Sequence, residues 1–307
     1  MALDFRAQQH VNQRKSFLLL ISMGVVVAIL VYAVGLWLGK SSSAFFPFAI
    51  MIAIASVWGS YYNSDKIVLT MTGARLIDHD SAPQLFNLVQ EVTIAAGIPM
   101  PKVAIVEDPA PNAFATGRDP EHAVIAFTTG ILQKMDREQL QGVAAHELAH
   151  VANRDTLVAA IAATTAGLVA LISDFAIRMS WFTGGNRRDN NGNDNPLVAI
   201  IGLIAIILAP LAALLLKAAV SRKREALADV TAVSLTRNPA GLRRALETLQ
   251  ADSTVVHQKS NAVAHIWIES PLDESSMSKL FSTHPPLAQR IETLRAMESS
   301  GPVEQGS

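Results

Sequence analysis

No cysteine occurs in the 307 residues. That absence removes disulfides, thiolate metal sites and cysteine nucleophiles together, and it agrees with a reducing compartment. Charge is scarce as well. Asp, Glu, Lys and Arg make up 17% of the chain, against about 25% in ordinary soluble domains. The two signs nearly cancel, at a net charge of −1, so there is no basic surface of the kind that binds nucleic acid. No internal repeat is present. What remains is apolar, with half of the residues hydrophobic and a mean hydropathy of +0.30.

The apolar residues are clumped. Phe17 to Leu38 is a run of 22 without a charge, and Ala44 to Gly59 is a run of 16 that continues to Tyr62. Leu157 to Trp181 is apolar apart from Asp174 and Arg178, which are four apart and read as an interfacial pair. Leu197 to Leu216 is a further run of 20, with Pro210 predicting a kink. A helix needs about 20 apolar residues to cross about 30 Å of hydrocarbon. Four spans are therefore expected; the third, rich in Ala and Thr and carrying the charge pair, also reads as a buried helix. The first run follows basic residues, as a signal peptide would, but a signal core is only about 7–15 residues long.

This spacing divides the chain into an N-terminal segment (1–16), a first hairpin of two spans (17–62), a catalytic segment (63–156), a second hairpin (157–216, loop 182–196), a catalytic tail (217–298) and a frayed end (299–307). Lysine and arginine in short loops mark the cytoplasmic face. With the N-terminus inside, the inner flanks carry Arg6, Arg14, Lys15, Lys66, Arg75, Arg137, Arg154, Lys217, Arg222, Lys223 and Arg224. The outer loops carry only Lys40, Arg187 and Arg188. This bias places both catalytic segments in the cytoplasm.

Between the hairpins, 82–96 reads as an amphipathic helix stopped by Gly97 and Pro99. Lys102 to Val106, Ala113 to Gly117 and Ala123 to Thr128 read as strands. Asp136 and Gln139 have capping-box spacing at the start of the next helix, 138–153. Further helices are expected over 217–236, 241–251 and 285–298, with 252–282 irregular.

That central helix carries His146-Glu147-Leu148-Ala149-His150. Positions i and i+4 share a helix face, so His146 and His150 can turn two imidazoles to one ion. Glu147, beside them, can take a proton from an attacking water. H-E-x-x-H is the zinc-peptidase pattern. A catalytic zinc needs a third protein ligand. The extended pattern H-E-x-x-H-x-x-G-x-x-H is not met, because Asn153 and Thr156 stand at its Gly and third His. The stretch Ser221-Arg222-Lys223-Arg224-Glu225-Ala226-Leu227-Ala228-Asp229 offers two carboxylates at i and i+4. Glu225 can bind the metal, while Asp229 accepts the outer N–H of a ligand histidine. The alternative is a solvated face of a charged helix. Two crossings separate this stretch from the histidines, which returns it to the same side of the bilayer. Four further histidines, His79, His122, His257 and His265, have no spacing partner and read as surface or internally satisfied groups.

H-E-L-A-H followed by Val151-Ala152-Asn153-Arg154-Asp155, then the 221–229 stretch, then Ser282-Thr283-His284-Pro285-Pro286, resembles the HtpX-type membrane zinc peptidases, whose relatives include the CAAX-prenyl zinc endopeptidases. The resemblance covers most of the chain. It implies an α-helical integral membrane protein with four transmembrane helices and a zincin-like α+β catalytic domain. It implies one zinc ion per chain held by His146, His150 and Glu225, with Glu147 as general base and Asp229 bonded to a ligand histidine. It also implies quality control of damaged membrane proteins in a bacterial-type inner membrane, with polypeptide substrates and the lipid bilayer as partners.

The tetrahedral oxyanion of peptide hydrolysis needs a donor besides the metal. His284 is the first candidate and Arg290 the second. His284 precedes Pro285, which holds it extended, and bonding to the core is its other reading. Asn112-Ala113-Phe114-Ala115-Thr116-Gly117 resembles the family's N-A-F-A-x-G stretch, which suits an edge against which extended substrate pairs. The alternative is an ordinary strand. Two other functions compete: a CAAX-type prenyl protease, which would be expected to have more spans, and a catalytically idle scaffold, against which intact Glu147 and Glu225 argue.

Overall fold

Alternation of side chains across a pleat builds the centre of the molecule. In the computed structural model, which describes residues 5–37, 45–164, 167, 222–256, 263, 266–268 and 286–299, four strands form one mixed sheet in the order β1-β2-β4-β3. They are β1 (Arg75–Ile77), β2 (Lys102–Val106), β3 (Ala113–Thr116) and β4 (Val124–Thr128). β2 and β4 run parallel; β1 pairs antiparallel with β2, and β3 antiparallel with β4. Every residue of β4 is buried, and the two faces take alternate letters. Ile125 and Phe127 join Val103, Ala113 and Ala115 on one face; Val124 and Ala126 join Ala104 and Phe114 on the other.

The first face is covered by helices α4 (Pro83–Ala96), α5 (Thr129–Lys134), α6 (Arg137–Ala152), α7 (Arg222–Thr236), α8 (Pro239–Ala251) and α9 (Leu287–Ser299). The second is covered by α3 (Ser64–Thr72), by helical residues 156–164 and by Val263, Ile266 and Trp267. α6 lies in the middle, buried almost without a break from Gly142 to Ala149. Its start is fixed by the expected capping box: Gln139 N–H donates to Asp136 Oδ1, and Asp136 N–H donates to Gln139 Oε1, each at 2.9 Å. Gly142 lets α8 approach one turn before His146. A β-carbon there would stand 2.6 Å from the Leu242 backbone nitrogen.

α1 (Phe5–Trp37) and α2 (Phe45–Tyr62) pack as a pair, with Tyr32 edge-on to Phe46. Their outward faces are apolar: Phe17, Leu18, Met51 and Trp58 are all more than half exposed. Among the described residues, no helix is long and apolar enough to cross a membrane. Side chains at 30, 31, 33–37 and 45 fall outside that set, so the described part of α1 and α2 is shorter than the apolar runs. The third and fourth expected spans lie outside it as well, except for helical residues 157–164. So do the 184–196 loop, Asp174, Arg178, Pro210, His257, His265 and His284.

The expected helix at 82–96 and the strands at 102–106, 113–117 and 123–128 form within one residue of those bounds. α8 begins at Pro239, two residues before the expected start, because Asn238 caps it by accepting from Gly241 N–H at 3.1 Å. β1 and α3 were not anticipated. β1 has only 3 residues, and Arg75 and Leu76 are exposed, so it shows no alternation.

Candidate metal centre

The helical spacing of α6 sets His146, Glu147 and His150 in its last two turns, and α7 lies against it with Glu225 and Asp229 turned inward. His146 Nε2 and His150 Nε2 are 3.3 Å apart. Glu225 reaches both, with Oε2 3.6 Å from His146 Nε2 and Oε1 3.6 Å from His150 Nε2. Four ligands at about 2.0–2.1 Å from a tetrahedral centre lie about 3.3–3.4 Å from one another. One donor atom from each of the three side chains lies within 4.8 Å of the others. The donor set therefore fits a metal of zinc's size and preference for nitrogen and oxygen.

The outer ring nitrogens explain why the inner ones converge. His146 Nδ1 donates to Asp229 Oδ1 at 3.0 Å. His150 Nδ1 donates to Asp155 Oδ2 at 3.1 Å. With both outer nitrogens carrying hydrogens to carboxylates, the Nε2 lone pairs are left to a cation. Asp229 is also held from α9, by Arg290 Nε to Oδ2 at 2.9 Å and Nη2 to Oδ1 at 2.7 Å. Arg290 Nη1 is 3.8 Å from Glu225 Oε2 and has no hydrogen-bond partner among the described residues.

Glu147, Asp155, Glu225 and Asp229 are all buried, and Arg290 is the guanidinium placed among them. The protonation pattern follows that excess of negative charge. Burial opposes a charge on His150, but Asp155, then Glu225 and Glu147, outweigh it and push the imidazole up to about 10. Burial and Arg290 both oppose a charge on His146, yet Asp229 and Glu225 leave it raised. Burial favours neutral Asp229, and Arg290 with His146 holds it below the usual carboxylate range. Two imidazoles whose charged forms are favoured by the surrounding acids occupy a site electrostatically suited to a cation.

The structure brings together the predicted His146, Glu147, His150, Glu225, Asp229 and Arg290. Asp155 was missed as a partner of His150, although it closes the 151–155 stretch that follows the helix motif. The expected substrate stretch is only partly an open edge. β3 is an outer strand of the sheet, but the Ala113 carbonyl already accepts from Ile268 N–H at 2.9 Å. Phe114 is fully buried on the other face, edge-on to Trp267 at 4.9 Å, and so serves the core. Asn112 turns its Oδ1 to Ala113 N–H, and the Gly117 carbonyl accepts from Thr156 Oγ1 at 3.0 Å.

Residues 80–298 match peptidase family M48. The chain is 41% identical over 290 residues to a protein named "Protease HtpX homolog" from Streptococcus gordonii, covering 93% of this chain and 97% of that one. A protein of the same name from Tropheryma whipplei is 44% identical over 264 residues, covering 86% and 88% respectively. The crystal structure of S. mikatae Ste24p superposes with a TM-score of 0.50 at 17% identity, covering 94% of this chain and 66% of that one. At that identity the likeness is one of fold.

Proposed function

This chain belongs to peptidase family M48 and is a metalloprotease, and from that premise we propose that it is a membrane-embedded zinc endopeptidase acting on membrane proteins at the cytoplasmic face. The observation that carries the zinc assignment is the convergence of His146 Nε2, His150 Nε2 and the Glu225 carboxylate, with each histidine's outer nitrogen on its own acid. When bound, the metal supplies Lewis acidity: it polarises the scissile carbonyl and acidifies water to a pKa of about 7.

The remaining work falls to the chain. His146, His150 and Glu225 hold the ion. Glu147 follows His146 on α6 and is 3% exposed; it takes the proton of the attacking water and returns it to the leaving amine. Asp229 fixes His146, and Arg290 fixes Asp229. The remaining donor of Arg290, Nη1, points at Glu225 and is available to the developing oxyanion; His284 is the other candidate for that role.

Substrate pairs in extended form along β3 in this reading. Thr128 N–H donates to the Asn112 carbonyl at 2.9 Å. Antiparallel alternation then turns the backbone of Ala113 and Ala115 away from β4. With Ala113 bonded to Ile268, Ala115 is, among the described residues, the position left to a peptide. Such pairing is indifferent to side chains, which suits misfolded or damaged substrates.

The exposed apolar face of α1 and α2, the uncharged runs and the lysine and arginine bias support a bilayer partner, four spans and the segment boundaries given above. A bacterial-type inner membrane follows from the resemblance. Zinc content and casein cleavage of detergent-purified wild type and Glu147→Ala test the reading. The variant should keep its zinc and lose proteolysis; cleavage within a few-fold of wild type would remove Glu147 as the base.

A further inference from the structure

We propose that Asp155 is the positioning residue for His150: its carboxylate fixes the Nδ1 hydrogen and thereby turns Nε2 to the metal. The inference rests on the metallopeptidase reading above and adds a residue to it.

The contact is built into the way α6 ends. Arg154 N–H donates to the Val151 carbonyl at 3.0 Å, and Asp155 N–H donates to the His150 carbonyl at 3.2 Å. Arg154 between them has φ of 57°, in the left-handed region. This pair of bonds is the Schellman ending, which folds the residue after the left-handed one back over the residue five positions earlier. Two apolar side chains usually meet there. Here the pair is Asp155 and His150, joined at 3.1 Å.

A second observation separates this role from ordinary capping. Asp155 stands directly before helical residues 156–164, and Ala159 N–H donates to its carbonyl at 3.3 Å. An aspartate at that position normally spends its carboxylate on the first backbone N–H groups of the helix. Asp155 instead gives Oδ2 to His150, and its Oδ1 is buried with no hydrogen-bond partner among the described residues. The cap is given up for the imidazole. The next residue, Thr156, bonds to the Gly117 carbonyl at the end of β3, which anchors the turn, and with it the carboxylate, to the sheet.

Zinc affinity of the detergent-purified full chain, measured by competition with a chromophoric chelator, tests this in Asp155→Ser and Asp155→Asn. Serine keeps a good cap and removes the acid; asparagine keeps the shape and removes the charge. Asp155→Ser should bind zinc about 10–100-fold more weakly, while the metal-free protein, though it melts lower without the buried acid, keeps a cooperative transition and the helix content of wild type. Its cobalt-substituted form should show a shifted visible spectrum. Affinity within about threefold of wild type, below that range, would overturn the proposal. Should the serine variant fail to fold, Asp155→Asn is held to the same two thresholds. A wild type that binds no zinc would remove the metallopeptidase reading itself, which is a different result.

Discussion

Arg290 makes a two-pronged contact with Asp229, Nε to Oδ2 at 2.9 Å and Nη2 to Oδ1 at 2.7 Å, across 61 positions of sequence. Both are almost fully buried, so neither charge can be left alone cheaply. Removing one partner of a buried pair costs about 3–5 kcal/mol. Arg290→Ala should therefore lower stability by that order and loosen His146 through Asp229. A thermal or denaturant melt checks it. A loss under about 1 kcal/mol, typical of an exposed pair, would mean that Arg290 is not the anchor of the site.

Ligand and supporting residues should separate in metal content. Glu225→Ala removes a donor and is expected to lose most of its zinc. Asp229→Ala leaves all three donors in place and is expected to weaken affinity or activity by about 10–100-fold. Elemental analysis after gel filtration distinguishes them. Full zinc in Glu225→Ala would move the third ligand elsewhere, with His284 next to be tested.

The raised histidines make a pH prediction. An imidazole pushed up to about 10, as His150 is in the metal-free protein, holds a proton at pH 8 that a ligand cannot keep. Zinc uptake at pH 8 should therefore release protons, read by calorimetry in buffers of different ionisation enthalpy. An ordinary imidazole near 6.5 would release almost none. Because the folded value is raised, the stability from this group is fully present below about pH 6.5 and lost as pH climbs towards 10. The metal-free protein should melt lower across that window, and a flat profile with no proton release would contradict the charge balance described for the site.

Reporter fusions examine the sidedness. Fusions at Gly192 should report outside and fusions at the C-terminus inside, because inner flanks carry most of the short-loop lysines and arginines. The reverse, or both on one side, would break the four-span arrangement or its orientation.

Local signals made much of this legible. The capping box of Asp136 and Gln139, the Gly97 stop and the alternation in β2 are each written within a few letters. So is the i, i+4 spacing of His146 with His150 and of Glu225 with Asp229. What escaped the sequence depends on partners far apart or on unmarked backbone. The left-handed position that folds Asp155 onto His150 is occupied by Arg154 rather than glycine, so nothing flags the turn. Arg290 meets Asp229 only once α9 has docked. Phe114 faces Trp267 because the pleat of β3 turns it away from α6, which the letters of one short strand do not reveal.

If His146, His150 and Glu225 hold one zinc ion, the metal's own ligands should say so. X-ray absorption at the zinc edge of purified Glu147→Ala, which should not digest itself, reads them directly. A nitrogen and oxygen shell at about 2.0–2.1 Å is expected, with the scattering pattern of two imidazoles, and most of the zinc should be lost in the additional His150→Ala variant. No retained zinc, or a pattern with fewer than two imidazoles in Glu147→Ala, would contradict the assignment.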